Sequence, residues 1–137
     1  MQVFISYGSD DQPVQKFLDE LVVHLAKSGF EPWLDRLRLF PGDNWQLETG
    51  KALKNSQAMV AVLSPESEKS QRQSQEISYA IGSKQFKDRL IPVVVRPTDR
   101  IPWILERIGV IRADKDPKSA TRDVVRQLEK TAEVADR

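Results

Sequence analysis

Three short segments, QVFIS at 2–6, QAMVAVL at 57–63 and LIPVVV at 90–95, have apolar centres with no polar residue on either face. A strand with one wet face alternates apolar and polar residues. A continuous apolar run has to be covered on both sides, as in a parallel sheet between two helix layers. The intervening sequence supplies those helices. Val14, Phe17, Leu18, Leu21 and Leu25 recur at spacings of three and four, with Asp11 as cap, Pro13 in the first turn and Gly29 at the end. Residues 30–34, FEPWL, read as a second strand, moved to the sheet edge by Pro32, which has no N–H to donate.

Beyond it, DRLRLFPGDN (35–44) reads as a long loop with a Pro-Gly turn. A helix over about 45–55 follows, capped by Asp43 or Asn44, with Trp45 expected to anchor it against the sheet. Ser64-Pro65 stops the third strand, and Ile77, Ala80 and Ile81 form the apolar side of the next helix. Trp103 and Ile104 suggest a short helix; Ile108, Val110 and Ile111 suggest a last short strand. Asp116-Pro117 opens a final amphipathic helix with Val124, Val125, Leu128 and Ala132 on one face.

This alternation implies an α/β, flavodoxin-like three-layer fold: a five-stranded parallel sheet in the order 2-1-3-4-5, with helices on both faces. Residues 1–137 form a single expected domain, with a core over about 1–113 and a C-terminal helix over about 117–135. Ligands of such sheets sit beyond the carboxyl ends of the strands, near the point where strand order reverses. Here that rim comprises Ser6-Tyr7-Gly8, the loop after Leu34, and Ser64-Pro65 leading into the helix that carries Glu76.

Composition removes several functions. With no cysteine and the single histidine His24, thiolate catalysis, Cys-based zinc sites and multi-His metal sites are excluded, and no metal is expected. Lys and Arg number 21 against 20 Asp and Glu, a net charge of +1, so no field steers the chain toward nucleic acid. No apolar run approaches the ~20 residues of a membrane span. MQVFISYGSDD lacks the basic and apolar regions of a secretory signal, so the expected location is the cytoplasm. The turn YGSDDQ is not GxGxxG, there is no P-loop, and GxSxG appears nowhere. A phospho-accepting receiver would need an Asp ending strand three, where Leu63-Ser64 stands.

VFISYGSDD, GFEPWLDRLRLFPGDNW, ALKNSQAMVAVLSPES, SQRQSQEISYA and RLIPVVV, in this order, resemble the successive boxes of a Toll/interleukin-1 receptor (TIR) domain of prokaryotic type. The resemblance runs from Val3 to about Ile111. It implies one of two functions. Some TIR domains are enzymes that cleave the nicotinamide–ribose bond of NAD+, releasing nicotinamide and ADP-ribose or a cyclic form of it. Others are scaffolds that self-associate and pass on a signal in immunity and related pathways. Enzymatic members carry a catalytic Glu in the pattern S-x-x-x-x-x-E, which Ser70 and Glu76 match. NAD+ would be the substrate, with no cofactor.

One carboxylate suffices for this chemistry. Ordinary glycoside hydrolysis uses two. Nicotinamide in NAD+ is already cationic and departs neutral, so no general acid is required. The transition state develops positive charge on the ribose, which one ionised Glu can stabilise.

The resemblance further implies nucleotide binding at Tyr7, Gly8 and Ser9, with Ser70 alongside. For Trp33, core packing and stacking on substrate stay open. Arg36, Leu37, Leu39, Phe40, Pro41, Gly42 and Asp43 correspond to the loop through which TIR domains contact one another. The partners it implies are other TIR domains and a fused or separate sensor or effector domain. Two positions depart from the enzymatic pattern. Arg72 stands where catalytic relatives usually carry Trp, four residues before the Glu, so the aromatic comes from elsewhere or the pocket wall is altered. Ser9 stands where many relatives have a basic residue or His.

Overall fold

The computed structural model describes residues 1–135, apart from the side chains of Leu37 and of residues 132–135, so the reading of Ala132 lies outside it. Among these residues the elements run β1 (Gln2–Tyr7), α1 (Gln12–Lys27), β2 (Glu31–Trp33), α2 (Asp35–Arg38), α3 (Trp45–Asn55), β3 (Ala58–Leu63), α4 (Gln71–Gly82), β4 (Leu90–Val94), α5 (Trp103–Ile108), β5 (Ile111–Arg112) and α6 (Pro117–Ala135). Short 3₁₀ turns occupy Pro65–Lys69 and Lys84–Phe86.

The sheet is five-stranded, in the order β2-β1-β3-β4-β5, and every pairing is parallel. This is the flavodoxin-like α/β fold that the alternation of apolar runs and helices implies.

Strand periodicity divides the core in two. Val3, Ile5 and Tyr7 of β1, Val60 and Val62 of β3, and Ile91 and Val93 of β4 face α1 and α6. Phe4, Met59, Ala61, Leu63 and Val94 face α3, α4 and α5 through Ala52, Leu53, Ile77, Ala80 and Leu105. Each fully buried Leu or Phe contributes roughly 1.5–3 kcal/mol by leaving water. The stripe on α1 is wholly buried, and Asp11 Oδ1 accepts from Val14 N at 3.0 Å as its cap.

Four expectations are corrected. Residues 35–44 are not all loop: Asp35–Arg38 is a helical turn, closed by Leu39 N donating to Asp35 O at 2.8 Å. Trp45 does not anchor α3 against the sheet but stands 49 % exposed at its start. Ile81 is exposed, because α4 presents the row Gln73, Glu76, Ile77 and Ala80 to the sheet instead. Ile108 belongs to α5 rather than to the last strand. The break falls one residue later, at Gly109, where φ is +109° and a side chain would be strained. No described helix is long and apolar enough to cross a membrane.

Candidate functional site

Ser70 starts α4: its Oγ accepts from Gln73 N at 3.1 Å, as a helix cap should. The helix then turns two polar residues onto the sheet. Gln73, fully buried, donates through Nε2 to Ser6 O at 3.2 Å and to Val62 O at 2.9 Å. It thus bridges β1 and β3 at their carboxyl ends, where strand order reverses. One turn on, Glu76 Oε1 accepts from Ser6 Oγ at 2.7 Å. Glu76 is only 7 % exposed. Burial pushes its carboxyl up to about 7, against the opposing pull of the Ser6 hydroxyl and the Arg72 guanidinium, with Asp35 adding a smaller upward push.

A second polar cluster lies close by, near enough for Arg72 and Asp35 to act on the Glu76 carboxyl. Tyr7 Oη donates to Asp35 Oδ1 at 2.6 Å, and Arg72 Nη1 donates to Asp35 Oδ2 at 2.6 Å. The Arg72 guanidinium lies over the Tyr7 ring, 5.5 Å from its centroid. Burial, reinforced by the Asp35 hydrogen bond, drives the Tyr7 phenol well above its ordinary value. Three segments far apart in sequence, the end of β1, the start of α2 and the first turn of α4, are therefore tied together on Asp35.

Outside the cluster lies a cleft of about 500 Å³ lined by Tyr7, Gly8, Ser9, Asp10, Trp45, Ser70, Gln71 and Arg72. Gly8 is required by close approach: a Cβ there would lie 2.5 Å from Gln73 Oε1 and 2.9 Å from Ser70 Cβ. Ser9 Oγ donates to Asp11 Oδ2 at 2.8 Å, bracing the cap of α1.

Tyr7, Gly8, Ser9 and Ser70 therefore meet in one cleft, while Glu76 lies behind it and is not among its lining residues. Trp33 is apart from the cleft, stacked on Phe4 with ring centroids 4.9 Å apart. In the loop that the resemblance assigns to self-association, Arg36 Nη2 pairs with Asp19 Oδ1 at 2.6 Å, and Leu39 is half-buried. Phe40 is 72 % exposed, and Pro41, Gly42 and Asp43 are exposed. The side chain of Leu37 lies outside the description.

Sequence reasoning placed Ser6 and the loop after Leu34 on this rim without giving Ser6 or Asp35 a contact there, and missed Gln73 and Trp45 as parts of the region. The signals were a Ser inside an apolar strand, a Gln three residues before the Glu on one helical face, and an aromatic beside a loop.

The family model described as TIR domain matches residues 3–129. Among solved structures, the TIR domain of the Toll-related receptor TRR-2 from Hydra magnipapillata superposes with a TM-score of 0.74 at 22 % identity, covering 93 % of this chain and 97 % of that one. A prokaryotic SEFIR domain superposes with a TM-score of 0.68 at 17 % identity, covering 92 % and 90 %. No curated protein matches. At these identities the superpositions speak for the fold. The family match, spanning nearly the whole chain, shows that it belongs to the TIR domain family.

Proposed function

We propose that this chain cleaves the nicotinamide–ribose bond of NAD+, with Glu76 as the catalytic carboxylate and self-association as the activating event. The observation that carries the reading is Glu76 itself. It is a buried carboxylate poised near neutrality, one layer behind a cleft at the switch point of a parallel sheet.

In this reading the C1′–N bond breaks with its electron pair going to nicotinamide, which leaves neutral. Water, or a ring nitrogen of the same molecule's adenine, forms the new bond to C1′. With water, the proton goes to solvent. Glu76 in its ionised form offsets the positive charge that the ribose develops. The cationic substrate favours that ionised form, so binding itself draws the carboxyl below about 7. Access to Glu76 requires the Arg72–Asp35 pair to move aside. Asp35 starts the segment that carries exposed Phe40, so contact between protomers through that segment is a direct means of moving it.

A second reading, a TIR scaffold without catalysis, is favoured by the near-complete burial of Glu76 and by Arg72 at the position where catalytic relatives carry Trp. Nicotinamide release from NAD+ separates the two. The enzyme reading expects release that rises faster than linearly with protein concentration and disappears in Glu76→Gln. No release at any concentration assigns the chain to the scaffold class.

A further inference from the structure

The cleft in front of Glu76 holds two side chains to which the proposed chemistry has given no contact with the substrate. Trp45, expected in the core, instead stands at the start of α3 with its ring half-exposed on the cleft wall. Arg72 is the single cation among the described residues lining the cleft. Its guanidinium has five N–H donors, of which the hydrogen bond to Asp35 engages one, on Nη1, and its side chain is 39 % exposed. A planar apolar ring and an unsaturated cationic fork on one wall are complementary to a ligand with a flat base at one end and phosphate oxygens next to it.

The volume agrees: about 500 Å³ lies inside the range of small-molecule pockets and suits a nucleoside diphosphate. The floor, Gly8, has no side chain to obstruct it, and cannot acquire one against Gln73 and Ser70. Ser9, at the turn after β1, offers no charge, so any phosphate recognition in this cleft falls to Arg72. Asp10 is the opposing charge on the lining; it is exposed, and solvent screens it.

We infer that Trp45 and Arg72 together bind the ADP half of the substrate, Trp45 stacking on the base and Arg72 holding the phosphates. The inference deepens the NAD+ reading and rests on it for the identity of the ligand. It makes Trp45 the aromatic wall that α4 lacks, supplied from the neighbouring helix. Arg72 then has two partners, Asp35 when the cleft is empty and phosphate when it is filled.

The test is ADP binding to the full chain, followed by calorimetry and by tryptophan fluorescence, with adenosine as the phosphate-free probe. ADP should bind at least tenfold more tightly than adenosine and quench the fluorescence. Trp45→Ala should weaken both ligands by about tenfold or more, the measure of one base–aromatic stack, whereas Trp45→Phe should retain most of the affinity. Arg72→Met should remove the preference for ADP over adenosine. Trp103→Ala, which removes an exposed ring on α5, should leave affinity and the absolute drop in fluorescence unchanged. Equal affinity of wild type, Trp45→Ala and Arg72→Met for ADP, or no ADP binding at all, would overturn the inference. Nicotinamide release on the same variants keeps the two ideas apart. Release without dependence on Trp45 or Arg72 leaves the NAD+ reading standing and removes this one. ADP binding that needs both residues, without any release, does the reverse.

Discussion

The hydroxyl of Ser6 donates to the carboxylate of Glu76 at 2.7 Å, inside the protein, between a sheet strand and a helix 70 residues further on. Among the described residues it is the one side-chain hydrogen bond to the buried carboxylate, and it favours the ionised form against burial. Ser6→Ala should therefore raise the Glu76 pKa further above about 7 and move the acid limb of the rate–pH profile upward. Above that limb it should destabilise the fold by about 1–3 kcal/mol, because an ionised buried group loses its donor. Urea unfolding at pH 6 and pH 8, beside the pH profile, checks both; an unmoved profile would disconnect Ser6 from the titration.

Glu76→Gln should separate stability from activity. The folded carboxyl titrates near 7 and the unfolded one near 4.5, so between those values the folded state holds the extra proton. Stability is then highest below about 4.5 and declines as pH rises to about 7, for a total of about 3 kcal/mol. Glutamine does not titrate and its Oε1 still accepts from Ser6. The variant should lose nicotinamide release, gain stability at pH 8, and lose this part of the pH dependence. A variant no more stable at pH 8 than wild type would show that burial does not strain the carboxylate.

Arg72 and Asp35 are 39 % and 16 % exposed, so solvent screens their ion pair. A double-mutant cycle with Arg72→Met and Asp35→Asn should give a coupling of about 1 kcal/mol. Because Arg72 also holds the Glu76 pKa down, Arg72→Met should shift the acid limb of the rate profile upward. An acid limb left in place would mean the guanidinium is not felt at Glu76.

Gly8→Ala should be costly at a position that looks like ordinary turn. The new Cβ would meet Gln73 Oε1 at 2.5 Å and Ser70 Cβ at 2.9 Å, forcing α4 away from β1. A loss of about 1–3 kcal/mol, read by thermal or urea unfolding, is expected. Wild-type stability would show that the turn and helix part freely.

Phe40 is 72 % exposed in the segment after α2. Phe40→Glu should leave stability within about 0.5 kcal/mol, as for surface changes generally. It should abolish self-association in sedimentation and flatten the dependence of activity on protein concentration. Unchanged sedimentation would remove this loop from the interface.

The apolar pattern, with the strand–helix alternation and right-handed crossovers, was enough to reach the architecture. Runs such as AMVAVL have no polar face, so they demand cover on both sides, and their alternation with amphipathic helices makes a parallel sheet between helices the arrangement that provides it. The cap at Ser70 and the stripe from Val14 to Leu25 were equally legible, since a cap and a helical face depend on residues three or four apart. What α4 buries was not legible. Its apolar residues suggest a face through Ile77, Ala80 and Ile81, yet the face that packs is Gln73, Glu76, Ile77 and Ala80. The Gln73 amide nitrogen and Glu76 Oε1 can be buried because Ser6 O, Val62 O and Ser6 Oγ stand where they arrive; Gln73 Oε1 is buried with no partner among the described residues. Those partners belong to β1 and β3, and the Tyr7–Asp35–Arg72 cluster nearby likewise joins α4 to the end of β1 and the start of α2. Periodicity records the preference of each segment for water or core; the satisfaction of a buried polar group depends on distant chain brought within about 3 Å, which only the tertiary structure decides.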